Sequence, residues 1–151
     1  MNRILSCFLM SFAVQGAVIA QDKITVYKSP SCGCCNKWIS HLEDNGFKVS
    51  AVNMDNVVPK KIEFGITQQT ASCHTAVIDG YVVEGHVPAE DIKRLLKTRP
   101  KNIKGLAVPG MPIGSPGMEQ GGRQDPYAVL SIDKQGRTQV FARHGALSPT
   151  K

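Results

Sequence analysis

Cys32-Gly33-Cys34-Cys35 places three thiols within four residues, and a fourth, Cys73, stands well downstream beside His74. Two chemistries suit such a cluster. Cys32 and Cys35 form a C-x-x-C pair. At a helix N-terminus the dipole and free N–H groups favour the thiolate, which suits disulfide exchange. The extra thiol at Cys34 complicates that cycle, because it offers competing mixed disulfides. Alternatively, three thiolates on one tight turn bind soft metals. Zinc generally takes four donors in a tetrahedron, often from two separated C-x-x-C pairs, whereas Cu(I) accepts fewer donors and its thiolates bridge several ions. Clustering therefore favours copper over zinc, and an oxidising compartment makes an iron–sulfur cluster a poor fit. Structural disulfides are a weak explanation: they close longer loops, and this cluster closes almost none.

Further soft donors are placed where loops should return to the motif. His86 lies in Glu84-Gly85-His86-Val87-Pro88, between a strand and a helix start, and histidine is the commonest metal ligand. Met111 and Met118 sit in a Gly/Pro-rich segment, where a thioether has no obvious core to fill. The candidate metal ligands are thus Cys32, Cys34, Cys35, Cys73, His86, Met111 and Met118, and no residue is assigned a catalytic role. His41 falls on the exposed side of a helical pattern and His144 near the C-terminal tail, so neither joins the site. Trp38 reads as core.

The elements that must position these residues are legible in outline. Lys23 to Tyr27 reads as a strand and Ser29 to Gly33 as a turn. Cys35, Trp38, Ile39 and Leu42 then recur at helical spacing, ended by Asn45-Gly46. Phe47 to Val52 alternates as a second strand. Pro59 opens a short helix over about 59–65, with Ile62 expected inward. Asp79-Gly80 joins the strands 75–78 and 81–83 as a tight hairpin. A helix starts at Pro88, with acidic residues first, basic ones later, and Ile92, Leu95 and Leu96 inward. Pro100 to Pro126 reads as one long loop, and long loops of this kind are often functional. Tyr127 to Ile132 and Thr138 to Arg143 form a final hairpin. There are no internal repeats. The order β-α-β-α-β-β-α, with cysteines between the first strand and first helix, predicts an α/β thioredoxin-like fold. Its central sheet is mixed, and the Gly/Pro/Met-rich loop and C-terminal hairpin are appended.

Met1 to Ala20 carries Arg3 as its only charge, followed by an apolar run ending Ala17-Val18-Ile19-Ala20. That pattern predicts a secretory signal peptide cut after Ala20, leaving residues 21–151 as one domain. Polar interruptions at Ser6, Ser11, Gln15 and Gly16 argue against a membrane anchor. Cleavage removes Cys7, so the four remaining cysteines are those of the candidate site. The formal charge of the whole chain is +6, but its bases are scattered, as in Lys60-Lys61, Lys93-Arg94 and Lys97. They lack aromatic interleaving and any recognition motif, and export excludes nucleic acid as a partner.

Four separated blocks carry a resemblance. Tyr27 to Cys35, Ser72 to Ala76, Val83 to Ala89, and Gly105 to Pro112 with Gly114 to Met118 together resemble the exported C-x-C-C family of CopG-type copper-resistance proteins. The likeness covers about residues 23–143. It implies a thioredoxin-like fold in the Gram-negative periplasm, Cu(I) held through cysteines in a mononuclear or multinuclear site, and a role in copper tolerance that extends to interconverting Cu(I) and Cu(II). Copper ions and other periplasmic copper-handling proteins are the implied partners. By position, Cys32, Cys34, Cys35 and Cys73 match the family's four cysteines. One departure from thioredoxins bears on the rival function. Ser72-Cys73-His74-Thr75 stands where they place a substrate-docking cis-proline, which weakens the reading as a thiol–disulfide oxidoreductase. A zinc-binding or copper-delivery module is the other alternative.

Overall fold

Strand β1 (Lys23–Lys28) buries Ile24, Val26 and Lys28 on one face, the period of two that a sheet requires. The computed structural model describes residues 23–145, so the leader expected over 1–20 lies outside the described residues. β1 leads into helix α1 (Gly33–Asp44), which buries Cys35, Trp38 and Leu42 at helical spacing. Asn45 caps α1, and Gly46 takes a φ of +89°, a left-handed turn that glycine adopts without strain. The chain returns as β2 (Lys48–Asn53), parallel to β1 in register Lys23 with Lys48.

Helix α2 (Val58–Glu63) crosses to β3 (Thr75–Ile78), which pairs antiparallel with β1 and, through a two-residue turn, with β4 (Tyr81–Glu84). Asp79 and Gly80 both have positive φ, as the twist of such hairpins demands. Helix α3 (Ala89–Thr98) follows, with Ile92 and Leu95 fully buried and Leu96 nearly so. The side chains of α1 reach the start of α3. Trp38 Nε1 donates to the Val87 carbonyl at 2.9 Å, and His41 Nε2 accepts from the Ala89 N–H at 3.1 Å. Trp38 thus joins the core with its one polar atom satisfied, and Trp38→Ala should cost about 3–5 kcal/mol.

Beyond α3 the chain departs from the sequence expectation of an appended loop and hairpin. The segment 100–126 is not one loop, because β5 (Ile103–Ala107) lies inside it. β5 pairs parallel with β4 and antiparallel with β6 (Tyr127–Asp133), and β6 pairs with β7 (Thr138–His144). The hairpin is therefore no appendage. It continues one mixed seven-stranded sheet, ordered β2-β1-β3-β4-β5-β6-β7. Lys104 and Gly105 break the apolar alternation that would have announced β5. Gly105 is needed because a Cβ there would overlap the Val82 backbone.

Ile62, expected inward, is 71% exposed. Lys61 takes the inward position, bonding Thr75 Oγ1 at 3.1 Å and Glu84 Oε1 at 2.5 Å. A helix this short has one narrow inner face, and here an ion pair fills it. No described helix is long and apolar enough to cross a membrane.

Candidate metal centre

The turn after β1 delivers the cysteines to the start of α1. Cys32 N–H bonds the Ser29 carbonyl at 3.1 Å, and Cys32 becomes the N-cap, its Sγ accepting the Cys35 N–H at 3.3 Å. A sulfur thus fills the capping role usually taken by a Ser or Asp oxygen. Cys32 and Cys35 are joined by a disulfide across one helical turn, with Cα atoms 5.3 Å apart. Cys34 and Cys73 are free thiols, both half-buried. Cys34 Sγ lies 3.5 Å from Cys32 Sγ and 4.0 Å from Cys73 Sγ, while Cys35 Sγ lies 3.6 Å from Cys73 Sγ. All four sulfurs fall within 4.8 Å of one another.

Cys73 also belongs to a second group. Its Sγ is 3.1 Å from His86 Nε2 and 3.3 Å from His74 Nδ1, and these ligand atoms also lie within 4.8 Å of one another. His86 Nδ1 sits 2.8 Å from the Pro116 carbonyl, an acceptor only. Nδ1 must therefore carry the proton, which leaves the Nε2 lone pair facing the sulfur. A carbonyl fixing the far nitrogen of a ligating imidazole is a recurrent arrangement at metal sites. His74 is fully buried against Trp38, ring centroids 4.3 Å apart, and its Nε2 is without a hydrogen-bond partner.

Burial sets the protonation of the cluster. Desolvation, reinforced by Cys34, pushes the Cys73 thiol up to about 12. Desolvation also lowers His86, against the pull of the Pro116 bond, and lowers His74 well below its ordinary value, with His86 and Lys61 adding to the effect. Near neutral pH the site therefore holds a protonated Cys73 thiol beside two neutral imidazoles, a donor set that loses a proton when a cation binds.

The Gly/Pro-rich loop is fastened over this cluster. Besides the Pro116–His86 bond, Gly117 has φ +85° and lies so close to α1 that a Cβ would stand 2.8 Å from both the Cys34 carbonyl and the Trp38 nitrogen. The other end is held where Gly110 bonds Ala71 through its N–H and receives the Ser72 hydroxyl on its carbonyl. Met118 is half-buried and follows the residue that packs on α1. Met111 is exposed.

One carboxylate organises the segment that carries Cys73. Glu84, at the end of β4 and fully buried, accepts from Ser72 N–H and Thr75 Oγ1, each at 2.6 Å, and from Lys61 Nζ. Burial raises its carboxyl above the usual range, and those bonds pull the other way.

The structure thus brings Cys32, Cys34, Cys35, Cys73 and His86 together and lays the loop bearing Met111 and Met118 beside them. His74, Lys61 and Glu84 were not anticipated. The Cys-His dipeptide at 73–74 was the available signal for His74. Lys61 looked like one more scattered surface base, and nothing in the sequence marks Glu84. His41 and His144, left outside the site, have structural roles: His41 receives the Ala89 N–H, and His144 Nε2 pairs with the buried Asp91 at 2.6 Å.

The protein is a mixed α/β domain whose thiol and imidazole cluster, where a helix N-terminus meets two strand ends, groups ligand atoms closely enough to hold a metal ion. The pattern described as "Protein of unknown function, DUF411" matches residues 70–118, which include Cys73, His86 and both methionines. Two solved structures, forms 1 and 2 of a "Copper resistance protein copG", are each 46% identical. Form 2 superposes with a TM-score of 0.80 over 83% of this chain and 100% of that one, and form 1 with 0.79 over 84% and 100%. A comparison with curated proteins gave no match. The chain belongs to the CopG family of copper-resistance proteins.

Proposed function

We propose that this chain is a periplasmic copper-resistance protein, exported by a signal peptide over residues 1–20, that takes Cu(I) as cargo on its clustered thiolates. The scaffold is read as thioredoxin-like, since strands β2-β1-β3-β4 with α1 and α3 follow that topology. The observation that carries the proposal is the meeting of four sulfurs within 4.8 Å, one of them shared with two imidazoles, in a chain 46% identical to a copper resistance protein. Thiolates select soft Cu(I), and an imidazole supplements them. Once the Cys32–Cys35 disulfide is reduced, Cys32, Cys34, Cys35 and Cys73 are the primary donors, His86 adds nitrogen, and Met118 and Met111 close the site from the loop.

The Cys32–Cys35 pair gives the cluster a two-electron store. Oxidation of both thiols to the disulfide releases two electrons and two protons, which reduces two Cu(II) to two Cu(I). The same disulfide supports a second reading, thiol–disulfide exchange with protein substrates, because it sits at a helix N-terminus.

Thiol trapping separates the two. If copper is the cargo, loading the reduced chain with Cu(I) protects its thiols from air oxidation, and a copper-sensitive strain regains tolerance on expression. Equal oxidation rates with and without copper, together with reduction of insulin disulfides, would instead establish the exchange reading.

A further inference from the structure

Helix α2 breaks the ordinary rule for an amphipathic segment: Ile62 faces solvent while Lys61 turns inward. Burying an ion pair costs desolvation that an apolar pair would avoid, and such local violations concentrate where function demands them. The pair lies beside the metal centre. Lys61 Nζ bonds Glu84 Oε1 at 2.5 Å with both side chains nearly inaccessible. Glu84 in turn grips Ser72 N–H and Thr75 Oγ1, the residues that bracket Cys73 and His74. Gly85 and His86 follow Glu84 directly, and Gly85 N–H bonds the His74 carbonyl at 3.1 Å. Gly85 also packs so tightly on Ser72 that a Cβ would stand 2.5 Å from the Ser72 Cβ.

We propose that the buried Lys61–Glu84 pair is the positioning device of the metal centre, holding Cys73 and His86 in register with the α1 cysteines through Ser72 and Thr75. The inference rests on the metal-site reading above and assigns the pair no contact with the metal. Neither residue lies at the sulfur cluster. Glu84 acts through the backbone amide before Cys73 and the hydroxyl two residues after it, while Lys61 supplies the charge that allows the carboxylate to stay buried. Residues that orient metal ligands in this way typically change affinity by about 10–100-fold when replaced.

Two double variants separate this grip from the charges. Lys61→Met with Glu84→Gln removes both charges and keeps an amide oxygen for Ser72 N–H. Lys61→Met with Glu84→Leu removes the same charges and the acceptor together. Two readouts apply: Cu(I) retention by the reduced chain against a chelator, and iodoacetamide labelling of Cys73 in the copper-free disulfide form, resolved from Cys34 by peptide mass. The Gln variant should stay within about threefold of wild type on both. The Leu variant should lose Cu(I) retention about tenfold or more and label correspondingly faster. Wild-type behaviour in both variants, or equal losses in both, overturns the proposal. Labelling needs no copper, so a wild-type chain that failed to hold Cu(I) would defeat the metal reading and still leave the positioning decided. If circular dichroism shows the Leu variant unfolded, Thr75→Val replaces it. Faster Cys73 labelling then supports the device, and an unchanged rate rejects it.

Discussion

His86 Nε2 lies 3.1 Å from Cys73 Sγ, with the opposite ring nitrogen held by the Pro116 carbonyl. This contact joins β4's end to the segment entering β3, and through Pro116 it reaches the methionine loop. Cys73 is the pivot, because it belongs to both donor groups.

Replacing that pivot distinguishes a metal site from a dithiol enzyme. Disulfide exchange by Cys32 and Cys35 needs one attacking and one resolving thiol, and Cys73 is neither. Cys73→Ser should therefore lower bound copper and weaken its retention, while any insulin-reducing activity survives. Unchanged copper content alongside abolished disulfide reduction would reverse the assignment.

Proton release provides an independent check. The copper-free Cys73 thiol, raised to about 12 by burial and Cys34, is protonated throughout the neutral range. A bound thiolate has lost that proton, so Cu(I) affinity should rise with pH from 6 to 8, and Cys73 alone should add about one decade per pH unit. Competition with a chelator of known pH dependence measures the slope. The Cys73→Ser variant should show a smaller one, and an equal slope would mean that Cys73 is not deprotonated on binding.

The helical spacing of Cys35, Trp38 and Leu42, the Asp79-Gly80 turn and the final hairpin were all readable because local residue pattern dictates each. β5 was not, since its five residues include Lys104 and a glycine demanded only by the neighbouring strand. In the site, clustering alone made the cysteines conspicuous, and Cys73 and His86 were legible from their places at strand ends. His74 and the Lys61–Glu84 pair depend on tertiary burial. Charged and imidazole side chains carry no sequence mark of being turned inward, and Ile62 beside Lys61 pointed the wrong way.

Acid should weaken the copper-free fold. His41, His74 and His86 all have depressed pKa values, chiefly through burial, so the unfolded chain binds more protons than the native one. Their stabilising contribution is complete above the unfolded value of about 6.5 and is lost as pH falls through that value toward the folded ones. Glu84, raised by burial, contributes the opposite sign. Urea denaturation at pH 7.5 and pH 6.0 should therefore give a lower midpoint at 6.0. An equal or higher midpoint would show that the three imidazoles are not held neutral.

Metal competition on the reduced chain, handled without oxygen, bears most directly on the central claim. Residues 21–151 are offered Cu(I) and Zn(II) together, passed over a chelating resin, and analysed for retained metal. Clustered thiolates with an imidazole and nearby thioethers should retain copper and release zinc. One zinc per chain, with the copper stripped away, would contradict the account.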